Sequence, residues 1–158
     1  MEDYQKEDRW CVPLCIEYIL KRKEIETDAK KIAEELELRE DGIDFDLAML
    51  NQFLRKHGLT CFHNSPFGNL ETDLLLRDEL KPGNDILAAY NYAYLTGEFR
   101  NGIIRHMSVV LRHNTSEDKI YLCDPPDREF GVDLVRLNNA MDLNYDRRFG
   151  FYIVVPKE

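Results

Sequence analysis

Pro13 lies inside an apolar stripe of helical period, and that pairing fixes where the first helix can begin. Val12, Cys15, Ile16, Ile19 and Leu20 recur at i, i+3, i+4, i+7 and i+8, which predicts an amphipathic helix over 11–22. A proline is tolerated only in the first turn, where its missing N–H would have had no partner. The helix must therefore start at or just before Cys11, with a thiol at its N-terminus. The unpaired N–H groups and partial positive charge of a first turn favour a thiolate there. Cys15 lies within the stripe and reads as a small core residue.

The rest of the chain divides in two. Helices are predicted over 28–38, over 45–57 and over 70–80. The first has Thr27 or Asp28 as cap and Ala29, Ile32, Ala33 and Leu36 buried. The second carries Leu47, Leu50, Leu54 and His57 on its stripe and stops at Gly58, and the third ends at Pro82-Gly83. A short strand over 59–63 separates the last two. Residues 85–92 form an apolar, aromatic run that fits a buried strand, and 94–104, with Gly97 and Gly102, read as a loop. Strands follow over 106–112 and 119–123 around a turn at 114–118, then a short helix near 134–142 and a last strand over 149–155. Helices first and mostly antiparallel strands second make an α+β pattern. At 158 residues the chain fits one domain, 1–158, helical to about residue 82 and sheet-forming from about 83.

The predicted hairpin brings an acid to a histidine. If His113 pairs with Lys119, Asp124 faces Ser108, and His106 is its diagonal neighbour on the same face. Diagonal Cβ atoms are ~7 Å apart, within reach of a side-chain hydrogen bond. A loop one residue shorter would turn the faces over and separate the pair. The other histidines have duller readings. His57 packs near a helix C-terminus, and His63 and His113 adjoin turn residues and are expected to be exposed. His113 alternates to the face opposite His106. Asp127, after Pro125-Pro126, is a weaker stand-in for Asp124.

Composition removes several function classes. The formal net charge of −9 argues against nucleic acid and against an anionic membrane surface. The apolar runs are too short to span a bilayer, and the polar stretch from Met1 to Trp10 has no secretory segment, so the expected compartment is the cytoplasm. Cysteines 11, 15, 61 and 123 are then expected as free thiols. Cys11 and Cys15 lie one turn apart, but no second close pair completes a zinc set, so neither metal nor cofactor is expected.

A thiol nucleophile needs a base, a group that orients the base, and a donor to the oxyanion. The order Gln5, Cys11, His106, Asp124 supplies all four groups. This order resembles the cysteine peptidases that remove double-glycine leader peptides, and their wider papain-like group. That family's glutamine precedes the catalytic cysteine by six residues, as Gln5 precedes Cys11. Its histidine opens an apolar strand, as in His106-Met107-Ser108-Val109-Val110-Leu111. Its acid ends a strand before proline, as in Cys123-Asp124-Pro125. The segment from Phe45 to Gly58 also looks like the family's middle region. Val12 departs from the glycine that usually follows the nucleophile.

The resemblance implies a papain-like fold, with N-terminal helices packed on a mostly antiparallel sheet. It implies Cys11 as nucleophile, His106 as base, Asp124 as its orienter and Gln5 as oxyanion donor, acting on a peptide or protein substrate through a thioester. Two alternatives stay open: acyl transfer to an amine, as in transglutaminase-like relatives, and a catalytically silent peptide-binding domain whose wall is Tyr90, Tyr92, Tyr94 and Phe99.

Overall fold

The computed structural model describes residues 10–37, 46–97, 103–142 and 146–157. The elements in chain order are α1 (Cys11–Arg22), α2 (Ala29–Glu35), α3 (Leu47–Arg55), β1 (Leu59–Asn64), α4 (Asn69–Glu79), β2 (Asp85–Asn91), α5 (Tyr92–Thr96), β3 (Arg105–Asn114), β4 (Lys119–Asp124), β5 (Arg128–Asp133), α6 (Leu134–Ala140) and β6 (Gly150–Pro156). The strands form one sheet in the order β1-β6-β2-β3-β4-β5, and every pairing is antiparallel. This is the expected α+β arrangement.

The first helix starts where Pro13 requires. All five residues of its stripe are buried, and α1 packs on α2 and over β3 and β4. Burying a side chain such as Ile16, Ile19 or Leu20 stabilises the fold by roughly 1.5–3 kcal/mol. Asp28 caps α2, its carboxylate accepting from the Lys31 N–H at 2.8 Å, and Asp46 caps α3 through the Ala48 N–H at 2.9 Å. The expected start of the third helix at Phe45 lies outside the described residues. Phe53, absent from the predicted stripe, is buried beside Leu50 and Leu54.

β2 is buried at every residue because β6 and β3 flank it. Its first residue is a carboxylate only 6 % exposed. Asp85 is balanced by Arg22 at 3.3 Å and Lys23 at 3.0 Å, and Lys23 also donates to the Gly83 carbonyl. These contacts fasten the end of α1 to the head of the central strand. Removing the cations would leave a buried charge unpaired.

The structure corrects the sequence reading at three places. The expected loop from residue 94 begins as the end of α5, a five-residue helix capped by the Asn91 side chain and closed by Gly97 at φ 74°. β5 was not anticipated. Only Val132 in it is fully buried, so it carries almost no periodic signal. The third correction is register. Asn114, not His113, pairs with Lys119, so the turn is one residue shorter than expected. A β-bulge then leaves Leu111 without a partner, and beyond it Val110 pairs with Leu122 and Val109 with Cys123. The bulge cancels the shortened turn, and the far end of the hairpin regains the expected register. It also changes parity, which puts His113, paired with Ile120, on the face of Leu122 and not opposite it.

Candidate active site

The site lies where the first turn of α1 meets the start of β3 and the end of β4. Cys11 and Leu14 from α1, Tyr92 from α5, His106 and Met107 from β3, and Asp124 with the 125–127 turn and Arg128 line one cavity of about 250 Å³. Cys11 is half-buried, and Trp10 is the N-cap of its helix. Of the residues singled out in the sequence, Cys11, His106 and Asp124 come together here. Gln5 lies outside the described residues.

The His106–Asp124 contact forms as the hairpin argument required. His106 Nε2 lies 2.8 Å from Asp124 Oδ1, with side-chain exposures of 10 % and 16 %. Ser108 donates its hydroxyl proton to the same oxygen at 2.6 Å. Its only proton thus used, Ser108 Oγ accepts from the Tyr90 hydroxyl at 2.8 Å. Tyr90 and Ser108 are both fully buried. A chain of donors, Tyr90 to Ser108 to Asp124, therefore runs out of the core to the carboxylate. The register that predicts the His106 contact also sets Ser108 opposite Asp124, which is the sequence signal for its role.

Burial pushes the Asp124 pKa upward and is the largest single influence on it. The hydrogen bond and charge of His106, the Ser108 hydroxyl and Arg128 together outweigh it and hold the carboxyl below its ordinary value. An ionised carboxylate only accepts, so His106 Nε2 carries a proton, and Nδ1 is the basic nitrogen of the neutral ring. Two tyrosine rings flank the imidazole. Tyr90 is edge-on at 5.6 Å and Tyr92 is tilted at 5.1 Å. The Tyr92 hydroxyl accepts from Arg128 at 3.3 Å, and this bond leads the influences that raise the Arg128 pKa.

The four cysteines are free. Burial drives the Cys15 thiol far above its ordinary value and the Cys61 thiol to about 12, so both stay neutral. Cys15 is fully buried and points its thiol at the Met107 carbonyl, 3.5 Å away. It is the core residue that the stripe implied. Val12 is buried in the core and takes no part in the cavity wall, so its branched side chain does not obstruct the thiol.

Other candidates fall elsewhere. Asp127 lines the cavity but does not replace Asp124 on His106. Of the suggested aromatic wall, Tyr92 lines the cavity, Tyr90 is core, Tyr94 bonds Asn139 and Phe99 lies outside the described residues. His57 packs against Phe53, as expected. His63 is not exposed: it is half-buried, stacked 4.4 Å from Tyr152, with Nε2 2.8 Å from the Phe149 carbonyl. The His113 side chain is likewise buried, at 3 % exposure. Among the described residues no helix is long and apolar enough to cross a membrane, and no group of three or more histidine, cysteine or acidic side chains is placed to hold a metal ion.

No protein-family model matches the chain, and no curated protein matches its sequence. Solved structures do match. One is the crystal structure of a candidate C39-like peptidase from Bacillus anthracis, with a TM-score of 0.64 and 15% sequence identity, covering 96% of this chain and 90% of that one. The two share the papain-like α+β fold, helices packed on an antiparallel sheet.

Proposed function

We propose that the chain is a cysteine peptidase, a thiol-dependent hydrolase of peptide or amide bonds, with Cys11 as nucleophile. The observation that carries this reading is one cavity lined at once by the helix-terminal Cys11 thiol and the hydrogen-bonded His106–Asp124 pair. His106 Nδ1 takes the proton of Cys11, and the thiolate sulfur attacks the carbonyl carbon of the substrate. The C–N bond breaks, the leaving amine receives the proton from the imidazolium, and a thioester remains. Water, deprotonated by His106, then cleaves the C–S bond and releases the acid and the thiol. Asp124 keeps the imidazole in the required tautomer, and Ser108 and Tyr90 keep Asp124 in place.

The Cys11 backbone N–H and Gln5 are the candidate donors to the oxyanion. The role of Gln5 rests on its six-residue interval alone. The substrate is a peptide or protein, and the expected compartment remains the cytoplasm. The buried Val12 favours an active enzyme over a silent binding domain on the same scaffold, because the residue that departs from the family pattern does not intrude on the thiol.

The test compares alkylation of Cys11 by iodoacetamide near neutral pH in the parent protein and in His106→Ala. The other three thiols are buried, so a faster Cys11 could reflect access alone. Dependence on His106 separates activation from access. The expected result is a rate lower by about tenfold or more in the variant. An unchanged rate would show an ordinary exposed thiol and remove the peptidase reading. Adding an amine acceptor to a cleavable acyl donor then separates hydrolysis from transfer.

A further inference from the structure

A second cavity lies at the other end of β3, where the ends of α1 and α4 meet the start of β2. Its volume is about 760 Å³. His113 lies seven residues from His106, which places the cavity roughly 20 Å from the first along an extended strand.

This chain is acidic, with a net charge of −9, yet five cations line this one cavity: Arg22, Lys23, Arg77, Lys81 and Arg112. Three carboxylates hold four of them. Asp85 balances Arg22 and Lys23, Asp73 holds Arg77 at 2.9 Å, and Glu129 holds Arg112 at 2.7 Å. Glu79, whose carboxylate accepts from the lining Asn84 at 3.2 Å, is a fourth acid here, so positive charge exceeds negative by one inside a concave surface, and Lys81 supplies it. The Arg112 guanidinium lies 4.2 Å over the Tyr121 ring beside Glu129, on the sheet face opposite His113, so the forks that face the cavity are those of Arg22 and Arg77, each suited to two oxygens of a tetrahedral oxyanion.

A buried, unsatisfied group lies in the same wall. Both ring nitrogens of His113 are buried and have no hydrogen-bond partner. Buried polar atoms left in that state are rare and costly. Asp73 Oδ1 lies 3.7 Å from His113 Nδ1, too far for a hydrogen bond, while Asp73 Oδ2 is engaged by Arg77. A ligand that draws Arg77 away would release Asp73 to close on His113.

We propose that this cavity binds a small, multiply charged phosphate-bearing molecule, held by Arg22, Lys23, Arg77 and Lys81, and that its binding hands Asp73 from Arg77 to His113. The site is separate from the Cys11 cavity, and its test does not depend on peptidase activity.

The experiment titrates the full chain with pyrophosphate in magnesium-free buffer. Heat and the imidazole NMR signals are followed together, and citrate serves as a carboxylate of comparable charge. Saturable binding is expected, about tenfold tighter for pyrophosphate than for citrate, with the His113 ring signals moving and those of His106 still. In Lys81→Glu, at an exposed position, affinity should fall by about tenfold or more with the Cys11 alkylation rate unchanged. Absence of saturable binding, or full affinity in the variant, overturns the site. Equal binding of citrate overturns the phosphate assignment, and a stationary His113 signal overturns the handover.

Discussion

Replacing Ser108 by alanine tests whether the donor chain behind Asp124 holds the site together. The substitution removes a hydrogen bond of 2.6 Å to an ionised carboxylate, an interaction worth roughly 1.5–3 kcal/mol. It also strands the Tyr90 hydroxyl, which is fully buried and has Ser108 Oγ 2.8 Å away. An unmade bond at such a group costs a further 1–3 kcal/mol, approximately. Ser108→Ala should therefore destabilise the protein by about 3 kcal/mol or more, while Tyr90→Phe, which removes only a neutral bond, should cost about 1 kcal/mol. In the double variant no hydroxyl is stranded, so its loss should fall short of the sum of the single losses by about 1 kcal/mol or more. Equilibrium urea unfolding of the four proteins closes this cycle. A Ser108→Ala loss under about 0.5 kcal/mol, or strictly additive losses, would refute the idea that the three side chains form one unit.

Three further outcomes follow from the same geometry. Because Asp124 titrates below its unfolded value of about 3.9, its stabilisation is complete above that value and drains away as pH falls through the folded pKa. The stability gap between the parent and Asp124→Asn, measured by urea unfolding, should thus narrow as pH falls below about 4. Gly150→Ala should cost about 2–4 kcal/mol by thermal unfolding, since φ is +128° and a Cβ would sit 2.7 Å from Ser65 Oγ and 2.9 Å from the Asn64 carbonyl. Asp28→Ala, which deletes the cap of α2, should cost about 1 kcal/mol in the same assay.

What could be read from sequence followed from strong local constraints. Pro13 within a five-residue stripe determined the start of α1 and so the position of Cys11. The run from Asp85 to Asn91 was legible as a central strand because both of its faces are buried. β5 was not legible, because an edge strand with one fully buried residue has no period to detect. The His106–Asp124 contact was anticipated through a turn that is in fact one residue tighter, and the unpaired Leu111 made good the difference. A bulge leaves no mark on side-chain alternation until the partner strand is known. His113 shows the cost of that blindness: beside a turn it reads as exposed, and by simple alternation as facing away from His106, whereas the parity change beyond Leu111 helps put it in a buried wall. The charges around it come from distant parts of the chain, 22–23, 77 and 81, so no single motif announced that cavity.

The spare residue at Leu111 has a consequence for how this hairpin tolerates change. It acts as slack between the tip and the end that carries His106 and Asp124. A tip that gains or loses one residue would ordinarily rotate every side chain below it by half a turn. Here the bulge offsets the shorter turn, and the imidazole stays level with its carboxylate. The 115–118 turn can therefore be one residue shorter than plain alternation requires without separating His106 from Asp124.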